Sequence, residues 1–158
     1  ENIMSYDENV LTELYSELED KFLEEKEENN IQNRVILFDD CGYSGNLKNK
    51  QSGIISKLIC NGRHLNLSQI YTSQKFSQVS TTLRTNLSGA ILFNTSAKEL
   101  DLISTDFNYM ENNKSFVKMF RDITGNSQRD FLVINFTNKE GLYMDTDFQT
   151  IDIKKYAV

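Results

Sequence analysis

The chain has no proline and no tryptophan, one histidine, two cysteines and seven glycines in 158 residues. Cys41 and Cys60 are too few for a disulfide framework, and with His64 as the only histidine they have no partners for a zinc site. They read as small residues in a reducing compartment. No run approaches the ~20 apolar residues that a membrane-spanning helix needs. The first residues lack the basic-then-apolar pattern of a signal peptide. The net charge of −6 argues against a broad basic face that coats nucleic acid, but not against a few locally placed cations. No Gly-Lys pair occurs anywhere, so the phosphate-binding loop Gly-x-x-x-x-Gly-Lys-Ser/Thr is absent. The chain opens at Glu1 without a methionine, and we expect it to be a piece of something longer.

What is present is ordinary globular composition, 39% hydrophobic and 25% charged, enough for one domain with a sizeable core. Leu11, Leu14, Leu18 and Phe22 recur at helical spacing, predicting a helix over 7–29 with Asp7 as N-cap. Its acidic end, Glu24 to Glu28, reads as a solvated surface. Val35 to Phe38 is a continuous apolar run that suits a strand buried on both faces. A glycine-containing loop over 42–53 and a helix over 54–61 come next, with Gly62 stopping or bending that helix. Further strands are predicted over 67–74, 90–94 and 131–136, with helices over 97–119. Gly141 to Met144 forms a hairpin with the last strand. Strands alternating with helical connections give an α/β fold, its sheet mostly parallel, with helices on both faces and a C-terminal antiparallel edge. Residues 1–158 read as a single domain, an acidic helix over 1–30 preceding the sheet.

The chemistry concentrates at strand ends. Four apolar residues followed by Asp39-Asp40 form a Walker B pattern. The carboxyl end of a parallel strand opens on the crevice where such sheets bind ligands. There Asp39 can serve Mg²⁺ on a nucleotide, while Asp40 polarises the attacking water as general base. An apolar strand ending in acids is also a common turn. The second signal is Thr72-Ser73-Gln74, which closes the next strand. The Gln74 amide can bond both an attacking water and a γ-phosphate, or simply meet solvent.

Taken in order, the elements are more specific than any one of them. A Walker B strand is followed by Gly62-Arg63-His64, then by Leu67 to Gln74, then by Leu83-Arg84-Thr85-Asn86 and the strand Ile91-Leu92-Phe93-Asn94. This order resembles the packaging ATPases of poxviruses and other large DNA viruses, which belong with the FtsK–HerA class of RecA-like P-loop motors. The resemblance covers residues 34–95 well and the remainder by general pattern. It implies ATP and Mg²⁺ as cofactors, double-stranded DNA as substrate, a homo-oligomeric ring, and a viral capsid or portal vertex as partner. The implied location is the viral assembly site in the host cytoplasm, or the virion. It also implies a catalytic set of Asp40, Gln74 and Arg84, with Asp39 on the metal. Arg84 would reach the γ-phosphate of a neighbouring subunit, or alternatively bridge helix and sheet. Arg63 and His64 would lie at the amino end of their strand, as structural or subunit-contact residues. Lys48 and Lys50 would either reach toward DNA or be solvated.

In this family the phosphate-binding loop precedes Walker B, and here it is missing. The 158 residues alone should therefore bind ATP poorly and hydrolyse it negligibly. The other readings are a non-catalytic interaction module that keeps the fold and, less well supported, a metal nuclease. A nuclease needs clustered acids, and Asp101, Asp106 and Asp130 are scattered along the chain.

Overall fold

A computed structural model describes residues 7–40, 53–138 and 141–158. The chain divides into two compact units, Glu1–Asn86 and Leu87–Val158.

The first unit opens with α1, Glu8–Glu27. Asp7 caps it, Oδ1 accepting from Asn9 N at 2.7 Å and from Val10 N at 3.2 Å, which satisfies two of the orphan donors of the first turn. The helix ends as Asn29 takes a left-handed φ of 55°. Strand β1, Arg34–Phe38, comes next. Within the acidic run, Glu25 is not simply solvated. Its two carboxylate oxygens receive both Arg34 guanidinium nitrogens, and Oε2 also accepts from Gln32 N at 3.1 Å. The Arg34 hydrogen bonds hold the Glu25 carboxyl below the usual glutamate range. This clamp fixes the start of β1 to the end of α1.

Helix α2, Ile54–Asn61, runs into a 3-10 turn over Gly62–Leu65. Asn66, at φ 54°, then turns the chain into β2, Leu67–Tyr71. Gly62 bends the helix, as expected, and the close approach of Gln69 requires a glycine there. A Cβ on Gly62 would meet Gln69 Nε2 at 2.3 Å, and that nitrogen is already committed to Leu58 O at 2.7 Å. Helix α3, Thr81–Thr85, closes the unit. Strands β1 and β2 pair in parallel, Arg34 opposite Leu67 through Phe38 opposite Tyr71. The core joins Leu11, Tyr15 and Leu18 of α1 to Ile55 and Leu58 of α2 and to Phe38 and Leu67 of the strands.

One expectation is corrected here. Strand β1 is not buried on both faces: Val35 and Leu37 are 62% and 59% exposed, and Ile70 of β2 is 53% exposed. Alternation along a strand puts these three on the face away from α1 and α2. Among the described residues nothing covers that face.

The second unit contains β3, Gly89–Phe93, helices α4, Ala97–Phe107, and α5, Asn113–Thr124, then β4, Phe131–Asn135, and the short β5, Tyr143–Met144. A 3-10 turn over Ile153–Tyr156 ends it. Strand β4 pairs antiparallel with both β3 and β5. The antiparallel part thus takes in β3 as well as the expected hairpin. One helical crossover would return the chain for a parallel partner. Two helices return it from the other end, and β4 runs back along β3. The core holds Leu100, Ile103 and Phe107 of α4, Phe116, Met119 and Phe120 of α5, and Leu132 and Ile134 of β4.

Tyr143 ties these layers together. Its buried hydroxyl donates to Phe107 O at 2.7 Å and accepts from Tyr109 N at 2.9 Å. Burial pushes its pKa up to about 12. Because the folded value lies above the ordinary 10.0, its contribution is complete below that pH and is lost as pH rises through about 12. Tyr143→Phe keeps the ring but strands two backbone groups. Urea unfolding should show a loss of about 1–3 kcal/mol with an unchanged denaturant slope.

Candidate functional site

The parallel register that sets Phe38 opposite Tyr71 also aligns the residues just beyond each strand. The two rings stack, 4.7 Å apart and 6° from parallel. Thr72 N donates to Phe38 O at 2.9 Å, extending the ladder one residue beyond the strands. Asp39 and Thr72 are thereby brought side by side.

The Thr72 hydroxyl works in both directions. It donates to Asp39 Oδ1 at 2.6 Å and accepts from Asp40 N at 2.9 Å. Gln74 Nε2 donates to Asp40 Oδ2 at 2.8 Å. An ionised carboxylate only accepts, so the amide must present its nitrogen here. Asp40 has a φ of 48°, in the left-handed region that aspartate tolerates better than most residues with a Cβ. The backbone therefore turns between the two acids, and their carboxylates take different partners, Thr72 for Asp39 and Gln74 for Asp40. All four residues are exposed, so a solute can reach them.

The donor set is hard: two carboxylates, a hydroxyl and a carboxamide. Such oxygens suit Mg²⁺ rather than a soft metal. Among the described residues no group of three or more His, Cys, Asp or Glu could hold a metal by itself. A cation here would need further ligands, which fits Mg²⁺, an ion that commonly takes one or two carboxylates and completes its shell with phosphates and water.

The structure brings Asp39, Asp40 and Gln74 together. Arg84 lies on α3, where Nη2 donates to Thr81 Oγ1 at 3.3 Å and the guanidinium lies 5.1 Å from the Phe76 ring centroid. Those contacts do not join it to the acids. Arg63 and His64 are exposed in the turn before β2, at the end of the strand opposite the acids. Lys48, Lys50 and the rest of the loop up to residue 52 lie outside the described residues, as does Cys41. Thr72 is the member of the cluster whose role sequence reasoning missed. Aligning the last apolar residues of the two strands, Phe38 and Tyr71, would have set it opposite Asp39.

The family described as Poxvirus A32 protein matches residues 3–152. No curated protein matches. Among solved structures, the chain is similar to the genome packaging NTPase B204 from Sulfolobus turreted icosahedral virus 2 in complex with ATP-gammaS, with a TM-score of 0.56 and 18% identity, covering 78% of this chain and 56% of that one. It is similar to the AMPPCP complex of the same protein at a TM-score of 0.58 and 17% identity, covering 85% and 60%. The B204 structure described as the DNA-packaging ATPase from Sulfolobus turreted icosahedral virus gives a TM-score of 0.59 and 16% identity, again covering 85% and 60%. At these identities the likeness establishes the fold. The chain spans less than two thirds of the length of these structures.

The left-handed turn at Asp40 has a measurable cost. A residue with a Cβ loses roughly 1–2 kcal/mol there, and glycine's freer unfolded chain offsets ~0.4–1 kcal/mol of the relief. Asp40→Gly and Asp40→Ala both remove the Gln74 bond. The glycine variant should nevertheless be more stable by about 0.5–1 kcal/mol in denaturant unfolding. Equal midpoints would show that the turn carries no strain.

Proposed function

The chain belongs to the poxvirus A32 protein family, and from that premise we propose that it is part of an ATP-driven motor that packages viral genomic DNA. The observation that carries this reading is the cluster of Asp39, Thr72, Asp40 and Gln74 where two paired parallel strands end. Acids at the carboxyl end of a parallel strand are where a nucleotide's phosphates and metal are met in α/β folds.

In the proposed mechanism Asp39, oriented by the Thr72 hydroxyl, would hold Mg²⁺, which would supply charge neutralisation of the nucleotide phosphates. Asp40, oriented by Gln74 and turned away from Asp39 by the left-handed backbone, accepts a proton from the attacking water. Gln74 lies close enough to Asp40 to register a change in its hydrogen bonding. Because it leads into the next segment, it is the natural relay from hydrolysis to movement. Arg84 would act on a neighbouring subunit in a ring. The phosphate-binding loop comes from outside these 158 residues, upstream in the same polypeptide or from another chain. That segment would also cover the apolar face of Val35, Leu37 and Ile70. Double-stranded DNA and the capsid or portal vertex are the proposed partners, and the viral assembly site in the host cell or the virion the proposed location.

The test is Mg²⁺-dependent ATP hydrolysis by this chain and by the protein with its upstream coding region restored, each beside Asp40→Asn. Asparagine also accepts the left-handed backbone, so the substitution removes the base and spares the turn. Activity is expected only in the extended protein. Asp40→Asn should lower its kcat by roughly 100-fold or more. A folded, extended protein without activity overturns the motor and leaves a non-catalytic interaction module.

A further inference from the structure

The molecule is acidic, yet its cations are not evenly spread. The second unit, Leu87–Val158, contains eight Lys and Arg residues: Lys98, Lys114, Lys118, Arg121, Arg129, Lys139, Lys154 and Lys155. Five of them, Lys114, Lys118, Arg121, Lys154 and Lys155, belong to α5 and the Ile153–Tyr156 turn packed against it. Positions 114, 118 and 121 share one face of the helix. They line an open groove of about 640 Å³ whose only acid is Asp122. Asp122 is engaged, its Oδ2 accepting from the Tyr156 hydroxyl at 2.6 Å. The five cationic side chains are exposed and make no ion pair among the described residues.

One acid against three cations leaves the groove with an excess of positive charge, which an anionic ligand relieves. From Lys114 to Arg121 the helix rises about 10.5 Å. Duplex DNA presents one phosphate per ~3.4 Å of axis on each strand, so about three over that distance. We propose that the α5 groove binds the phosphate backbone of double-stranded DNA through Lys114, Lys118 and Arg121, with Lys154 and Lys155 at its margin. The inference rests on the DNA motor reading for its choice of polyanion. An acidic segment of a second copy is the competing occupant. In the acidic helix α1, Glu25 and Glu19 are paired with Arg34 and Lys57, and its other acids make it the segment that the self-association arm of the test addresses. Contacts of this kind position a duplex without reading its sequence.

The experiment is fluorescence anisotropy of a labelled 30-base-pair duplex titrated with the 158-residue chain, without nucleotide, over a range of salt. The triple variant Lys114→Gln/Lys118→Gln/Arg121→Gln is compared with Lys98→Gln, whose cation lies on α4 outside the groove. Each phosphate contact contributes about −0.9 to the slope of log K against log salt. The triple variant should lower the magnitude of that slope by about 2–3 and weaken binding at least tenfold at low salt, while Lys98→Gln leaves both unchanged. All three side chains are exposed, so thermal unfolding of the variant should match wild type. Light scattering on the same samples tests the second-copy alternative. An unchanged slope, or a loss of self-association with unchanged DNA binding, overturns the inference. So does wild-type protein that does not bind DNA. None of these outcomes bears on Asp40-dependent ATP hydrolysis in the extended protein, so the inference and the motor reading fail separately.

Discussion

The candidate site depends on one pairing, β1 against β2 in parallel with Phe38 opposite Tyr71. Parallel strands end at the same edge, so the residues after each strand emerge together. The stacked Phe38 and Tyr71 rings fix that edge, and the bond from Thr72 N to Phe38 O carries the register one residue further. A slip of one residue would set Thr72 against Asp40 and move Gln74 away from its carboxylate. The core on the other side resists such a slip. Phe38 and Leu67 are buried against α1 and α2, and a shifted register would place their neighbours there instead. Hydrophobic packing thus determines the positions of groups that are themselves exposed.

Much of this arrangement was legible in the sequence because it is written in local patterns. The helix capped by Asp7, the apolar strand ending in two acids and the strand ending near Gln74 follow from spacing and residue type alone. What was not legible comes from pairing. Thr72 looked like any strand residue, because its importance lies in what stands beside it on β1. The exposed face of Val35, Leu37 and Ile70 was hidden for a similar reason. A run of apolar residues suits a strand buried on both faces, but it does not show which elements, if any, cover each face. The antiparallel return of β4 required counting the helices between strands, information carried by chain path rather than by periodicity.

The two acids also show why neighbouring identical residues need not do the same work. In a regular strand, successive side chains diverge to opposite faces. Here the divergence is produced by a left-handed residue instead, and each carboxylate acquires its own polar neighbour. The arrangement is held by the Thr72 hydroxyl, which bonds the carboxylate of Asp39 and the backbone of Asp40 at once. Replacing it with a β-branched residue of the same shape but no hydroxyl would leave an amide and a carboxylate oxygen to find water. The acids would remain present but no longer be oriented before a ligand arrives. Preorganisation of this kind separates a site from two exposed acids at a turn.

Charge is organised on the same principle of local rather than global balance. A net charge of −6 describes the whole chain but no single surface of it. Glu25 neutralises Arg34 at the junction of α1 and β1, and Asp122, bonded to Tyr156, is the single acid set against Lys114, Lys118 and Arg121 in the α5 groove. The first device stabilises a connection between elements. The second leaves positive potential at a groove while using the nearby acid to anchor the last turn. A protein that moves along a polyanion has reason to be acidic elsewhere, since general attraction would hold the duplex wherever it touched. Grouping Lys114, Lys118 and Arg121 on one helix face would put the attraction where the proposed contact is made. An overall negative charge and a DNA-binding function are therefore compatible, and local cation placement, not pI, is the quantity that decides between them.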